Sequence, residues 1–330
     1  MGKTIFKYRL DGSFICSYKT IAQAAADFGL DESTIRKQVN SKDVVKIKDC
    51  YLSLLKIDRL LLNDDTNTAS LPLKHKANVL LLDIETAPTK ALVWRMWKEN
   101  INPEQIIEDW FILSYSCKWL LEPGVFGNVL TTEEATSQDD FRLMKEVWKY
   151  LDKADIVIYH NGKAFDGPKI NTRLLKCGFS PPSSYQSIDT LETCRRQFSF
   201  SHNKLDAVAK FLGFNGKMQH DGFEMWRKCL DGDGKALKQM LAYNKQDVLV
   251  LEDVYMEIRA WIKPHPNIGL FVDSDKRICP ACGGSDLNLS GLYSTPMNTY
   301  EEFRCEDCGS SGRSRFTLPK NKFILSSTSH

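Results

Sequence analysis

The segment NVLLLDIETAP, residues 78–88, constrains this chain more than any other. A run of four apolar residues predicts a strand buried in a core, yet the strand ends in Asp83 and Glu85. Side chains two positions apart on a strand point the same way, so both carboxylates face one side of a sheet. The simplest explanation is a strand end that reaches solvent. The alternative is a site for a hard divalent cation such as Mg²⁺, which would relieve the repulsion between the two acids.

Two later segments carry polar residues in comparable positions. DIVIYHNGKAFDGPKI, residues 155–170, predicts an apolar strand, a turn and a helix with Asp166 near its start. Asp166 could also be no more than a helix cap. LAYNKQDVLVLEDVY, residues 241–255, predicts a long amphipathic helix on which Tyr243 and Asp247 share one face, because they lie four residues apart. Tyr243 alone could equally be a surface aromatic.

In this order, DIET, NGKAFD and YNKQD resemble the three motifs of DEDD-family 3′–5′ exonucleases of the DEDDy type, DnaQ-like proteins with an RNase H-like fold. KLDAVAKFLGF resembles the helix between the second and third motifs of that family. The resemblance covers most of residues 77–263. Further similarity to bacteriophage exonuclease-like proteins with a C-terminal zinc ribbon is carried by IIEDWFILSYSCKWL, SIDTLETCRRQFSF and HDGFEMW.

The resemblance implies a role for each matching residue. Asp83 would bridge two Mg²⁺ or Mn²⁺ ions, and Glu85 and Asp247 would complete the ion that binds the attacking water. Asp166 would hold the second ion, beside the leaving oxygen, as two-metal hydrolysis requires. Tyr243 would orient the water, because a tyrosine hydroxyl keeps its proton at neutral pH and is a poor base.

Polar and basic residues near these motifs are candidate contacts to a substrate backbone. Asn161 and Lys163 belong to the second motif, where a turn and a helix start could meet a phosphate. Arg195, Arg196 and Lys204 are further candidates. Ordinary solvated surface charge explains these basic residues equally well.

The cysteine pairs CPACGG and CEDCG predict a metal site near the end of the sequence. Cys279, Cys282, Cys305 and Cys308 form two C-x-x-C pairs, each followed by glycine, which allows a tight turn. Ten cysteines in a chain that opens without a secretory signal favour reduced thiols over disulfides. Four thiolates suit one tetrahedral Zn²⁺, which would be structural because no coordination position stays open for a substrate.

The first 62 residues predict a small DNA-binding module. IFKYRLDGSFICSY predicts a β-hairpin that turns at Asp11-Gly12, and TIAQAAADFGLDESTIRKQVN predicts two short helices separated by Gly29. The stretch resembles small DNA-binding modules appended to phage homing endonucleases. We therefore expect a helix-turn-helix in which Arg36 and Lys37 contact DNA. A helical mini-domain for protein contacts is the alternative.

The central block alternates strand and helix patterns, which predicts an α/β fold. We expect an RNase H-like mixed sheet flanked by helices, with the helix-turn-helix module before it and the zinc ribbon after it. The predicted strands are 79–85, 111–119, 125–131 and 155–160, and the predicted helices are 139–151, 167–177, 204–212 and 237–262. The predicted domains are the DNA-binding module 1–62, a linker 63–76, the exonuclease domain 77–263, the zinc ribbon 276–319 and a flexible tail 320–330.

Composition leaves the substrate open. A hydrophobic content of 42%, a charged content of 26% and a formal net charge of +2 are ordinary for a globular protein, so a nucleic-acid surface would need local clusters of Lys and Arg. No apolar run is long enough to span a bilayer, and no membrane partner is expected. The sequence predicts a cytoplasmic protein, in a bacterium or a phage-infected host.

Three functions remain open. The first is a metal-dependent 3′–5′ exodeoxyribonuclease with two Mg²⁺ or Mn²⁺ ions. It would act on single-stranded DNA or 3′ ends in phage replication, proofreading or repair, with a DNA polymerase or another replication protein as partner. The second is a structure-specific or homing-type endonuclease, which the amino-terminal module favours. The third is a catalytically silent DNA-binding adaptor, although the presence of all four acids and Tyr243 argues against it.

Overall fold

The computed structural model describes residues 4–8, 14–41, 44–53, 61–63, 68–70, 76–216, 222–272 and 274–319. The chain forms two compact units, Met1–Lys74 and His75–His330. Within the described ranges, no helix has both the length and the apolar character that crossing a bilayer demands.

The first unit contains a four-stranded antiparallel sheet and two helices. Its elements are β1 (Ile5–Tyr8), β2 (Phe14–Tyr18), α1 (Ile21–Phe28), α2 (Glu32–Ser41), β3 (Val44–Ile47) and β4 (Cys50–Ser53), and the strand order is β2-β1-β4-β3. Helix α1 buries Ala24, Ala25 and Phe28, and Gly29 ends it in the left-handed conformation, with φ of 61°. The predicted hairpin strands and both predicted helices are confirmed, whereas β3 and β4 are not predicted by the sequence.

The predicted linker contains part of a small strand pair. Strand β5 (Leu61–Asn63) pairs antiparallel with β6 (Thr68–Ser70). The other linker residues before residue 76 lie outside the described residues, as do the predicted tail 320–330 and the predicted turn at Asp11-Gly12.

The second unit is built on a mixed five-stranded sheet with helices on both faces. The strands of the unit before the cysteine pairs are β7 (Val79–Thr86), β8 (Lys90–Ala91), β9 (Ile106–Glu108), β10 (Ile112–Trp119), β11 (Val125–Val129), β12 (Ile156–Tyr159) and β13 (Gln186–Asp189). Strands β8 and β9 form a separate antiparallel pair. Its helices are α3 (Thr132–Ser137), α4 (Phe141–Lys153), α5 (Asp166–Lys176), α6 (Thr190–Gln197), α7 (Leu205–Phe211), α8 (Phe223–Leu230) and α9 (Gly234–Ile258). The order is β11-β10-β7-β12-β13, in which β10 is antiparallel and β12 parallel to the central strand β7.

Two apolar clusters cover the two faces of this sheet. Because side chains alternate along a strand, Leu80 and Leu82 of β7 join one cluster, with Val147 of α4. Leu81 joins the other, with Val254 of α9. Strand β7 is therefore buried on both sides until it reaches its two acids. This mixed sheet with flanking helices fits the RNase H-like fold class that the sequence predicts.

The four predicted strands and four predicted helices of this unit are confirmed, with ends that differ by a few residues. The sequence does not predict β13, α3, α6 or α8. Strand β13 has the sequence QSID, in which Ile188 is the only apolar residue, and α6 has the mostly polar sequence TLETCRRQ. Short polar elements of this kind have little apolar periodicity, so tertiary contacts determine whether they form.

Hydrogen bonds and ion pairs between buried charged groups hold helices α5 and α9 against strand β10. Arg173 of α5 donates from Nη2 to Asp140 Oδ1 at 2.6 Å, and Asp140 Oδ2 accepts from the Ile112 amide at 2.9 Å. Lys118 of β10 pairs with Glu252 of α9 at 2.9 Å, and both side chains are largely buried. A buried ion pair is costly to break, because the remaining partner is left as an uncompensated charge. The helices that carry the second and third sequence motifs are thereby held against the sheet.

The cysteine pairs flank strands of a three-stranded antiparallel sheet, and we call the whole segment the ribbon (residues 276–319). Its strands are β14 (Leu287–Ser294), β15 (Thr299–Cys305) and β16 (Ser311–Thr317), in that order across the sheet. The ribbon is joined to the preceding residues by a hydrogen bond from the Ile268 amide to the Pro280 carbonyl, at 2.8 Å.

Candidate active site

Three carboxylates meet at the end of the central strand. Oxygens of Asp83, Glu85 and Asp247 lie within 4.8 Å of one another, although Asp247 comes from helix α9. Ile84 is buried in the core on the opposite face of β7, as the alternation of a strand requires. Oxygens that share one octahedral Mg²⁺ lie about 3 to 4 Å apart, given Mg–O bonds of about 2.1 Å. The cluster therefore fits a hard divalent cation, which would be held by these three side chains.

The fourth predicted acid lies beside this cluster and is not one of its members. Asp166 is the first residue of α5 and is buried. Its Oδ1 accepts a hydrogen bond of 3.1 Å from the Ile84 amide, between the two acids of β7. The structure thus brings three of the four predicted acids within 4.8 Å of one another and places Asp166 against the backbone that carries two of them.

A buried amide holds Asp83 in place. Asn244 Nδ2 donates to Asp83 Oδ2 at 2.5 Å, and Asn244 Oδ1 accepts from Ser114 Oγ at 3.3 Å. Asn244 and Ser114 are both fully buried. Helix α9, strand β10 and strand β7 are therefore joined at the acid cluster. Sequence reasoning missed Asn244, although its place next to Tyr243 in the third motif was the available signal.

Tyr243 lines a cleft of about 610 Å³ together with Asp83. The Trp226 ring of α8 packs edge-on against the Tyr243 ring, with centroids 6.4 Å apart and an interplanar angle of 72°. This contact restricts the orientation of the phenol ring. Three residues predicted as substrate contacts also line the cleft, namely Asn161, Arg195 and Lys204. Sequence reasoning missed five other polar residues of its lining, which are His160, Ser201, His202, Asn203 and Asp206.

The turn of the second motif is fixed by Asp189. The carboxylate of Asp189 accepts hydrogen bonds from the Asn161 amide at 2.9 Å and from the Lys163 amide at 3.1 Å. Asn161 adopts a φ of 76°, and a Cβ at Gly162 would lie 2.2 Å from the Tyr159 ring. Only glycine fits that approach. Asp189 is a supporting residue that sequence reasoning missed, because it lies in the unpredicted strand β13.

The remaining predicted substrate contacts lie elsewhere. Lys163 and Arg196 line a groove of about 260 Å³ on the other flank of α6, which we call the helix groove. Lys163 forms an ion pair with Glu192 at 2.7 Å. Arg36 and Lys37 are exposed on α2 in the first unit, where Arg36 pairs with Glu32.

The four ribbon cysteines form a second candidate metal site. The Sγ atoms of Cys279 and Cys308 are 3.7 Å apart, those of Cys282 and Cys305 are 3.6 Å apart, and all four lie within 4.8 Å of one another. Four thiolates at about 2.3 Å from a tetrahedral Zn²⁺ would be about 3.8 Å apart, so the arrangement fits zinc.

Each cysteine pair closes in a glycine turn. The amides of Gly283 and Gly309 donate to the carbonyls of Cys279 and Cys305, at 2.8 and 2.9 Å. Both glycines have positive φ, of 77° and 74°, a conformation that residues with a Cβ adopt with strain. The glycines that follow the pairs in the sequence are therefore required by the backbone of each turn.

The thiols of this cluster differ in acidity. Burial raises the pKa of Cys279 to about 11. Burial also opposes ionisation of Cys308, but hydrogen bonds from Ser310 and from the neighbouring thiols outweigh it and lower the pKa of Cys308 to about 7. Cys308 is therefore the thiol of the two that ionises more readily near neutral pH, and only a thiolate is a good zinc ligand.

Part of this chain matches a known protein family. A family model described as the RNase H superfamily matches residues 125–259, a stretch that includes Asp166, Tyr243 and Asp247 and begins after β7. No curated protein sequence matches the chain at a significant level. Significant matches are found to 131 chains of known structure.

One of these structures is the family B DNA polymerase from the hyperthermophilic archaeon Pyrobaculum calidifontis. Its identity with this chain is 14% and the TM-score is 0.40. The match covers 58% of this chain and 26% of the polymerase, so the chain spans about a quarter of that protein's length. The family match, the mixed sheet and the acid cluster together support an RNase H-like nuclease.

Proposed function

We propose that this chain is a metal-dependent 3′–5′ exodeoxyribonuclease of the DEDDy type that acts in DNA replication, proofreading or repair. The observation that carries the proposal is the cluster of Asp83, Glu85 and Asp247, of which Asp83 lines the same cleft as Tyr243. When bound, two Mg²⁺ or Mn²⁺ ions would stabilise the charge that develops on the attacking and leaving oxygens of a phosphodiester. The four ribbon cysteines would hold one structural Zn²⁺.

The protein side chains would position the reacting groups. Tyr243, restricted by the Trp226 ring, would hold the attacking water by a hydrogen bond. Arg195 and Lys204 would bind the phosphates of the strand that enters the cleft. These groups would hold the attacking water and the phosphates in a fixed relative orientation. Such positioning is a large part of the catalysis of phosphoryl transfer.

The exonuclease proposal predicts a ladder of progressively shorter products. A single-stranded DNA oligonucleotide labelled at its 5′ end should be shortened stepwise from the 3′ end when Mg²⁺ or Mn²⁺ is added. Without added divalent cation no shortening is expected, because the clustered carboxylates alone provide no Lewis acid to stabilise the charge on the phosphodiester oxygens. Gel electrophoresis of timed samples measures this result, and an RNA oligonucleotide of the same sequence measures the preference for DNA.

A closed circular single-stranded DNA serves as the control, since it has no 3′ end. The circle should stay intact under the same conditions. Internal cuts in it would favour the second candidate, an endonuclease directed by the amino-terminal unit, on whose helix α2 Arg36 and Lys37 are exposed. No shortening of linear DNA or RNA with either cation would contradict nuclease activity altogether.

Asn244→Ala is expected to weaken divalent-cation binding about tenfold, a typical loss when a residue that orients a metal ligand is removed. The substitution deletes the donor to Asp83 and the acceptor for Ser114. Calorimetric titration with Mn²⁺ measures the dissociation constant directly and needs no substrate.

Asn171→Ala is the matched control, because Asn171 is an exposed amide on α5. Its Mn²⁺ dissociation constant should equal that of the wild type. An unchanged constant for Asn244→Ala would show that the carboxylate of Asp83 is positioned without its amide partner.

A further inference from the structure

A cation-lined groove separates the ribbon from the end of the α/β part of the second unit. This ribbon groove has a volume of about 670 Å³, and strand β16 and the turn at residues 262–265 both contribute to it. Its basic side chains are Lys263, Arg313 and Arg315, and all three are exposed. No Asp or Glu belongs to the lining. A groove that contains three cations and no acid has a positive potential that attracts anions.

The cations of the ribbon groove are available to a ligand. Among the residues that the structure describes, no ion pair involves Lys263, Arg313 or Arg315. The guanidinium carbon of Arg313 lies 3.8 Å from the centroid of the Tyr300 ring, so the group is stacked and held in one plane. Arg313 Nη1 donates to the Ser314 carbonyl at 3.4 Å. A guanidinium has five N–H donors, so others at its edge remain to donate to phosphate oxygens.

Hydroxyl groups complete a set of donors suited to phosphate. Ser311 and Ser314 line the ribbon groove beside the arginines. Hydroxyl, ammonium and guanidinium groups are the usual side-chain donors to the phosphates of a nucleic-acid backbone. An acidic peptide would use the cations alone, whereas the ribbon groove also offers hydroxyl groups beside its cations.

The ribbon groove shares part of its lining with the helix groove. Both are lined by residues 262–265, and the helix groove adds Lys163 and Arg196. Its two acids are already engaged, since Glu192 pairs with Lys163 and Asp189 binds backbone amides. Through Arg195, helix α6 also lines the cleft that contains Asp83 and Tyr243, which we call the catalytic cleft. Basic residues therefore extend from the catalytic cleft across α6 to the ribbon.

We propose that the ribbon groove binds the sugar–phosphate backbone of a nucleic-acid strand whose end occupies the catalytic cleft. This inference rests on the proposed function for the identity of the strand in the cleft. Basic grooves that track a backbone are the common means of binding a single strand without reading its sequence. The ribbon then serves to hold Arg313 and Arg315 in place.

The test compares two triple variants that remove the same charge. Lys263→Gln, Arg313→Gln and Arg315→Gln together remove the cations of the ribbon groove. The matched control replaces three exposed lysines with glutamine on α4, a helix that packs on the opposite face of the sheet. These lysines are Lys145, Lys149 and Lys153. Both triples are made in the Asp83→Asn background, and zinc content confirms that the ribbon stays folded.

The measurement is fluorescence anisotropy with labelled single-stranded DNA of mixed sequence, without added divalent cation, over a range of salt concentrations. The groove triple should raise Kd at least tenfold and lower the slope of log Kd against log salt by about 2, since each phosphate contact on a single strand contributes about 0.7. The control triple should change neither. The same experiment with RNA shows whether the groove distinguishes the two backbones.

Equal Kd and equal salt slope for the groove triple and its background would overturn the proposal, and an acidic peptide as the occupant would give that result. A loss of the same size in the control triple would also overturn it, because the effect would then come from net charge. Binding is measured without hydrolysis. A protein that binds DNA through this groove yet shortens no substrate would contradict the proposed nuclease function alone.

Discussion

Asp83→Asn should slow metal-dependent shortening of DNA by about 10³-fold or more. Asparagine keeps the shape of the side chain and can still accept the hydrogen bond from Asn244, but it removes one charge from the three-carboxylate cluster. Electrostatic stabilisation by a catalytic metal contributes several kcal/mol to the transition state, and every ~1.36 kcal/mol is a factor of ten in rate. The single-turnover rate with a 5′-labelled oligonucleotide at saturating Mg²⁺ measures the effect.

Asp247→Asn should give a loss of similar size, since Asp247 belongs to the same cluster. Glu257→Gln is the matched control on the same helix, where Glu257 is exposed on the outer surface. Its rate should remain within about twofold of the wild type, as is usual for a surface substitution. If Asp83→Asn retained more than a tenth of the wild-type rate, hydrolysis would have to occur at another site.

Zinc removal is expected to unfold the ribbon and leave the five-stranded sheet folded. Among the ribbon residues whose burial is described, the buried apolar cluster consists of Cys279, Ala281 and Cys305, and Tyr300 is buried outside it. This is too little apolar surface to hold a domain of this size together. Binding of structural zinc contributes about 10–16 kcal/mol in zinc-finger peptides, so the metal would supply the free energy of folding. Metal analysis should find one zinc per wild-type chain, and Cys279→Ser should lose it.

Limited proteolysis measures the structural consequence. In Cys279→Ser, cleavage should concentrate in the ribbon, and the fragment that contains the α/β sheet should persist. Cys177→Ser is the matched control, because Cys177 lies at the end of α5 and outside the cysteine cluster. It should keep its zinc and its resistance to protease. A wild-type protein that contains no zinc, or a Cys279→Ser protein that retains it, would contradict the assignment.

Local pattern predicted the elements that have an apolar run or an apolar face. Strand β7 is recognised from its apolar run, and α4 and α5 from apolar faces that pack on the sheet. The polar elements β13 and α6 were not predictable in the same way, because their side chains are partnered by distant residues. Asp189 is the clearest case, since its carboxylate serves backbone amides 26 and 28 residues away.

The sequence by itself determined which residues could bind metal: the acids of the three motifs and the two cysteine pairs, each with its glycine. Chemical type and local spacing are sufficient for that inference, because ligand preference is a property of the side chain. Only the tertiary structure decided the rest. It brought Asn244 to Asp83 across 161 residues, set Asp166 beside the three-carboxylate cluster, and joined β16 to the turn at residues 262–265 in one basic groove. The physical reason is that hydrogen bonds and close ion contacts act over only a few ångströms. The packing of the fold alone determines which residues distant in the sequence come that close.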